Sequence, residues 1–158
     1  MKTKIQALTA AMTNSISNVL ETMFFLSLDI TGVIDIKSLK IPENDEMMTV
    51  KLNFFGPVSG HCLFYIPKKL AVSITADFLG TDDQSITNEQ TRGTVSEIIN
   101  MLVGDTFSNF DLQAVFDLEI PEMVSFEKMF VSDPSENEIT IGIQTLEDQL
   151  AYQMIITN

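Results

Sequence analysis

A chain of 158 residues predicts one domain, 1–158, and its 45% hydrophobic and 20% charged residues are typical of a globular rather than a disordered protein. The formal net charge of −13 opposes binding to nucleic-acid phosphates and to anionic membrane surfaces. One cysteine and one histidine exclude an intramolecular disulfide and the usual zinc sites.

The N-terminal segment does not predict secretion. Residues 1–4 carry two lysines, but Gln6 and Thr9 interrupt the apolar stretch that a signal sequence requires. No uninterrupted apolar run approaches the roughly 20 residues that span a bilayer. The sequence therefore predicts a cytoplasmic protein.

The first half of the chain predicts one long helix followed by three strands. Apolar residues recur every three or four positions from residue 5 to about residue 28, which is the period of a one-sided helix. Alternating patterns and turn residues then predict strands at 34–37, 48–54 and 60–66.

Two helices are predicted in the middle of the chain. A short helix at 68–79 is closed by Gly80, a candidate C-cap. Thr87 and Gln90 stand at the spacing of a capping box, which predicts the start of a second long helix. This helix can extend to about Gln113.

The second half repeats the order of the first, because three more strands are predicted at 123–131, 138–145 and 150–156. Short turns between strands favour antiparallel pairing. The predicted fold is α/β (α+β), with two long helices packed on a mainly antiparallel sheet of about six strands, pseudo-duplicated.

The second long helix has an unusual outer face. At about 100° per residue its apolar side chains share the side that must face the core. The opposite side carries Gly93, Glu97, Asn100, Gly104 and Ser108. Each glycine costs a helix interior about 1 kcal/mol relative to alanine, and packing against the core does not explain these two. A carboxylate and a carboxamide between two glycines would suit a docking partner, although polar side chains on a helix face are more often simply solvated.

The segment from Glu97 to Gly104 resembles the E-x-x-N-x-x-x-G signature of the CheC/CheX/FliY phosphatases. The glycine-rich turn at 55–60, the strand ended by Pro67 and the short helix ended by Leu79 and Gly80 are similar to the segments that precede this signature in CheX. In the first long helix, Phe24 falls where an asparagine paired with Glu21 would stand. One site per chain, in the second half, is the CheX arrangement.

The resemblance implies a CheC-like fold and hydrolysis of the aspartyl phosphate of a CheY-type response regulator in chemotaxis signalling. It implies that Asn100 orients the attacking water, that Glu97 pairs with the regulator's lysine, and that Gly93 and Gly104 give the regulator clearance. No cofactor of the chain's own is expected, since Mg²⁺ comes with the phosphorylated regulator. A homodimer is also expected.

Two other functions remain open from the sequence. The first is a non-catalytic docking or adaptor module of the same fold, which binds a response regulator or a flagellar switch component. The second is an unrelated α/β domain with an acidic small-molecule or cation site, although no acidic cluster has metal-binding spacing.

Overall fold

The computed structural model describes residues 2–111, 113–126 and 137–157. The helices are α1 (Lys2–Ile16), which continues as a π-helical segment (Ser17–Met23), α2 (Lys68–Leu79) and α3 (Asn88–Phe110). Short 3-10 turns occupy Ile36–Ser38 and Asp83–Ser85. The strands are β1 (Asp29–Val33), β2 (Met47–Phe55), β3 (Gly60–Pro67), β4 (Asp117–Leu118), β5 (Glu122–Val124), β6 (Glu138–Gln144) and β7 (Gln149–Ile156).

Every pairing in the seven-stranded sheet of the described residues is antiparallel. The sheet order is β1-β6-β7-β3-β2-β4, and β5 also pairs with β2. The third strands of the two halves, β3 and β7, meet at the centre. The first strand of each half lies against the second strand of the other half, as β1 against β6 and β5 against β2. The predicted pseudo-duplicated α/β architecture is thus present.

The main core lies between the helices and one face of the sheet, and it joins Leu8, Met12 and Ile16 of α1 to Ile98 and Leu102 of α3 and to the central strands. A smaller cluster covers part of the other face. It contains Ile36, Leu39, Met47, Leu63, Tyr65 and Ala151. None of the helices in the described parts of the chain is long and apolar enough to cross a membrane.

The capping predictions are confirmed. The backbone N–H of Gln90 donates to Thr87 Oγ1 at 3.1 Å, and the Thr87 N–H donates to Gln90 Oε1 at 2.9 Å, so both halves of the box form at the start of α3. Gly80 ends α2 with φ +67°, in the left-handed region that a C-cap glycine adopts.

The first strand was predicted in the wrong place. The strand is β1, Asp29–Val33, whereas residues 36–38 form a 3-10 turn. The Asp35 carboxylate accepts a hydrogen bond from the Lys37 N–H, and the Ser38 N–H donates to the Asp35 carbonyl. These hydrogen bonds to Asp35 stabilise a turn at the position where the short alternating pattern had predicted a strand.

The ends of the two long helices also differ from prediction. The first helical segment ends at Met23 rather than about residue 28, because it widens into π-helical hydrogen bonding and Phe25 then adopts φ +54°. Helix α3 ends at Phe110 rather than Gln113, because the Asp111 backbone is extended and its carboxylate accepts the Gln113 N–H.

The edge beside β2 is divided between two short strands, so the described sheet has seven strands rather than about six. The strand predicted at 123–131 begins at Glu122 and ends at Val124, and residues 127–131 lie outside the described residues. Strand β4, which had not been predicted, is only two residues long. Such a short segment has too little alternation to be recognised from sequence.

Candidate functional site

Helix α3 turns one face to the core and leaves the opposite face open. Its buried residues are Thr91, Val95, Ile98, Ile99, Leu102, Val103, Thr106 and Phe107. On the open side, Gly93, Glu97 and Ser108 are exposed, and Asn100 and Gly104 are partly exposed. We call the row Gly93, Glu97, Asn100 and Gly104 the ridge.

The two polar side chains of the ridge are held close together by the helix itself. Residues three positions apart on a helix have Cβ atoms about 5–6 Å apart. Within the described residues, neither Glu97 nor Asn100 makes a side-chain hydrogen bond or an ion pair. Their carboxylate and carboxamide groups are therefore available to a molecule that approaches from outside.

The glycines of the ridge face open space. A Cβ atom built on Gly93 or on Gly104 would meet no heavy atom within 4 Å, apart from those of the helix itself and its chain neighbours. The fold therefore does not need glycine at either position. Because neither glycine has a side chain, the helix backbone is more accessible on both sides of Glu97 and Asn100.

Helix α3 is fixed in place by a buried polar network. The Thr106 hydroxyl donates to Ser15 Oγ at 3.0 Å and lies 2.8 Å from the Tyr152 hydroxyl. These contacts join α3 to α1 and to β7 inside an otherwise apolar core. Burial raises the pKa of Tyr152 well above its ordinary value, so its hydroxyl stays protonated. These hydrogen bonds hold α3, and with it the ridge, against α1 and β7.

The flank of the ridge is bounded by the end of the first helical segment. Asn18 Nδ2 donates to Asp105 Oδ2 at 3.1 Å, while Ser15 contacts Thr106. The equivalent strands of the two halves, β3 and β7, are antiparallel, and α1 contacts β6 as α3 contacts β2. The two halves are therefore related by an approximate two-fold axis, so their equivalent long helices also run antiparallel. The π-helical segment, which also packs against α3, therefore leads from Asp105 towards Asn100 and Glu97.

The clefts found among the described residues do not enclose the polar pair of the ridge. A cleft of about 920 Å³ is formed around Met48, Lys68, Arg92 and Phe126, and it contains neither Glu97 nor Asn100. A smaller hollow of about 280 Å³ is lined by Gly104, Phe107 and Phe116. Glu97 and Asn100 lie on an open helix surface rather than in a pocket. Such a surface can reach into a site on another macromolecule but cannot enclose a small substrate.

The surroundings of the other residues that stand out in the sequence indicate structural roles. Cys62 is buried beside Tyr152, and burial raises its thiol pKa. Glu21 is exposed in the π-helical segment, and Phe24 packs against the main core. No group of three or more His, Cys, Asp or Glu side chains among residues 2–111, 113–126 and 137–157 is placed to hold a metal ion.

An apolar surface beside the ridge was not predicted from sequence. Met23, Phe25, Phe78 and Leu79 are all at least half exposed. Periodicity along a helix does not tell whether another element covers the apolar side chains at its end, and only the tertiary positions of the two helix ends reveal that these side chains face solvent.

The architecture matches several solved structures. A CheC-like superfamily protein from Shewanella sp. PV-4 superposes with a TM-score of 0.73 at 20% identity, over 96% of this chain and 98% of that one. CheX from Vibrio vulnificus gives a TM-score of 0.72 at 23% identity, over 95% and 99%. The CheX–CheY–BeF3–Mg²⁺ complex from Borrelia burgdorferi gives 0.63 at 17% identity, over 94% and 97%. These likenesses establish a CheC-like fold.

The sequence itself identifies the family. The family model described as "Chemotaxis phosphatase CheX" matches residues 48–144, which is more than half of the chain and includes α3. The chain belongs to the CheX family. No curated protein matches the sequence significantly.

Proposed function

We propose that this protein is a phosphatase that hydrolyses the aspartyl phosphate of a CheY-type response regulator. The observation that carries the proposal is an unpartnered carboxylate and carboxamide, Glu97 and Asn100, on a glycine-flanked ridge of a CheX-family protein. The Borrelia burgdorferi structure, in which a CheX is in complex with CheY, BeF3 and Mg²⁺, is consistent with such a partner.

The reaction needs little chemistry from the phosphatase. The oxygen of a water molecule attacks phosphorus, and the bond between phosphorus and the aspartate oxygen breaks. The electron pair of that bond leaves with the aspartate carboxylate, and both water protons remain on the released dihydrogen phosphate. Catalysis of such a step depends mainly on positioning and on charge stabilisation.

A carboxamide is suited to position the water. The Asn100 side-chain oxygen accepts a hydrogen bond from water, and its neutral group does not repel the phosphoryl oxygens. A carboxylate at that position would repel them. We therefore assign orientation of the attacking water to Asn100.

Glu97 is assigned to the partner rather than to the water. One turn away from Asn100, its exposed carboxylate would form an ion pair with the lysine of the regulator's phosphorylation site. Gly93 and Gly104 would let the regulator's loops approach the helix backbone. Mg²⁺ would be contributed by the regulator, bound at its own phosphorylation site.

The proposal includes the setting of the protein. It would act in the cytoplasm as one domain, 1–158, and as a homodimer, whose formation the exposed Val33 of edge strand β1 favours. Sedimentation equilibrium of the purified chain tests the dimer, and a monomer at all concentrations would contradict it.

The direct test is single-turnover dephosphorylation of a phosphorylated CheY-type regulator encoded beside this protein. We expect saturating protein to accelerate phosphate release well above the regulator's own rate, and Asn14→Ala, an exposed asparagine on α1, to behave like the wild type. Binding without acceleration would instead identify a non-catalytic docking module. Absence of both binding and acceleration would refute any role on this regulator.

A further inference from the structure

The ridge alone is too small to hold a protein partner. Two of its four residues are glycines, whereas a specific protein interface buries roughly 800 Å² on each partner. Most of the binding area for a macromolecule that meets Glu97 and Asn100 must come from surfaces beside the ridge. The apolar residues at the ends of the two neighbouring helices are the candidates.

Four exposed apolar side chains form what we call the shelf, namely Met23, Phe25, Phe78 and Leu79. Their exposed fractions are 50%, 85%, 67% and 50%. The Phe24 and Phe78 rings lie 5.7 Å apart, which joins the end of the π-helical segment to the end of α2. Because the two helix ends that carry them are in contact, these four large apolar side chains lie in one region of the surface, which is typical of an interaction site.

The shelf lies beside the ridge. Glu97, Met101 and Asp105 form one row on α3, with Glu97 two helical turns, or about 12 Å, before Asp105. Asn18 bonds Asp105 at one end of this row, and the antiparallel π-helical segment then leads towards Glu97. Helix α2 also packs against α3 and ends at Leu79, eight residues before the Thr87 cap of that helix. Both helix ends therefore converge on the Glu97 side of the ridge.

The backbone of the shelf is held in an unusual conformation. Phe25 has φ +54°, which bulky residues rarely adopt. It follows a π-helical segment in which the Phe24 N–H donates to the Val19 carbonyl, five residues back. Both features occur preferentially at functional sites. Here their consequence is that the Phe24 ring packs inward while the Phe25 ring is presented to solvent.

The charges around the shelf oppose its use between two copies of this chain. Glu21 and Asp77, two residues before Met23 and one before Phe78, are both exposed, and the chain carries a net charge of −13. In a two-fold interface the same acidic rim would face itself. A partner with an apolar centre and a basic rim fits the shelf better, and a lysine paired with Glu97 would belong to the same surface.

We infer that the shelf is the surface on which the receiver domain of the response regulator docks while Glu97 and Asn100 enter its phosphorylation site. This inference rests on the proposed function and extends it to the partner interface. The shelf does not touch the reacting atoms, so it contributes to affinity and not to the rate within the bound complex.

The test measures affinity and rate separately for shelf variants. The probe for affinity is the regulator loaded with BeF3⁻ and Mg²⁺, and the rate is that of single-turnover dephosphorylation at saturation. Phe25→Asn removes the ring but keeps a residue that tolerates positive φ, and Phe78→Ala is the independent second variant. Leu146→Ala is the control, because Leu146 is 97% exposed in the turn between β6 and β7.

We expect Phe25→Asn and Phe78→Ala each to raise Kd about tenfold or more, as loss of an aromatic anchor does, with the saturated rate within about twofold of wild type and Leu146→Ala unchanged. If Kd is unchanged in both variants while the wild type is active, the regulator does not dock on the shelf, and the proposed function remains intact. Loss of self-association without loss of regulator binding would also overturn docking on the shelf, in favour of a second copy. A wild type that neither binds nor dephosphorylates the regulator would refute both proposals.

Discussion

The two long helical segments occupy equivalent places in the two halves of the molecule but present different surfaces. Both pack on the same face of the sheet, and each is followed by strands in the same order. Helix α3 is regular for 23 residues and carries its polar pair between two open glycines. The first segment changes to π-helical bonding and ends in exposed aromatic residues.

The difference shows that architecture and chemistry are separable in this fold. The segment Ser17–Met23 also contains an exposed glutamate, and Asn18 lies three residues before it, but Asn18 is already bonded to Asp105. Glu97 and Asn100 have no such partner within the described residues. Availability of the asparagine side chain, rather than residue type, distinguishes the two helices.

The strongest test of this difference between the two helical segments removes the same two residue types from each of them. We expect the double variant Glu97→Ala with Asn100→Ala to lose the acceleration of dephosphorylation by about 100-fold or more, since the water is no longer positioned. The double variant Asn18→Ala with Glu21→Ala should keep the wild-type rate at saturation. Comparable losses in both, measured by single turnover, would show that the helices do not differ in function.

Removal of the charge of Glu97 is expected to give the next largest effect. Glu97→Ala should weaken binding of the BeF3⁻-loaded regulator by about 2 kcal/mol, where its ion pair with the regulator's lysine is desolvated. Glu89→Ala, an exposed glutamate in the first turn of the same helix, is the matched control. Isothermal titration calorimetry measures both, and equal affinities for the two variants would remove Glu97 from the interface.

The glycines of α3 are expected to lower stability in the free protein. Gly104→Ala should raise the free energy of unfolding by about 0.5–1 kcal/mol, because a Cβ there meets no neighbour within 4 Å and alanine favours helix. The same variant should bind the regulator less tightly. Chemical denaturation gives the first quantity, and a stabilised variant with unchanged affinity would show that the glycine is not there for clearance.

The smallest expected effect lies on the other face of the sheet. Burial, and then the charge of Lys51, lower the pKa of His61 below its ordinary value of 6.5. The unfolded chain then binds a proton more readily than the folded chain, so His61 reduces stability as pH falls from about 6.5 towards its lowered folded pKa. His61→Gln should flatten this part of the stability curve, measured by urea unfolding, and an unchanged slope would contradict the shift.

Local signals explain which parts of the fold could be predicted. The capping box at Thr87 and Gln90 and the C-cap at Gly80 are encoded by a few adjacent residues, and both formed as expected. The π-helical segment could not be read from the sequence, because its apolar spacing continues that of α1. The strand at 29–33 was missed because its pairing with β6 involves residues more than 100 positions away.

The candidate site was more predictable on the helix than beside it. The face on which a helical residue lies depends only on its position in the helix. The sequence alone therefore predicted that Gly93, Glu97, Asn100 and Gly104 share one face of α3. The shelf depends on where the end of α2 meets the π-helical segment, which only the Phe24–Phe78 contact reveals. Sequence periodicity therefore identified the residues proposed for chemistry and missed those proposed for docking.

The most direct test of the account measures affinity and rate on one variant, Asn100→Ala. The account predicts that this protein binds the BeF3⁻-loaded regulator nearly as tightly as wild type, because only an interaction of the transition state is lost. It also predicts that dephosphorylation at saturation falls to the regulator's own rate. An Asn100→Ala protein that dephosphorylates the regulator at the wild-type rate would contradict the assignment of water orientation to the ridge of α3.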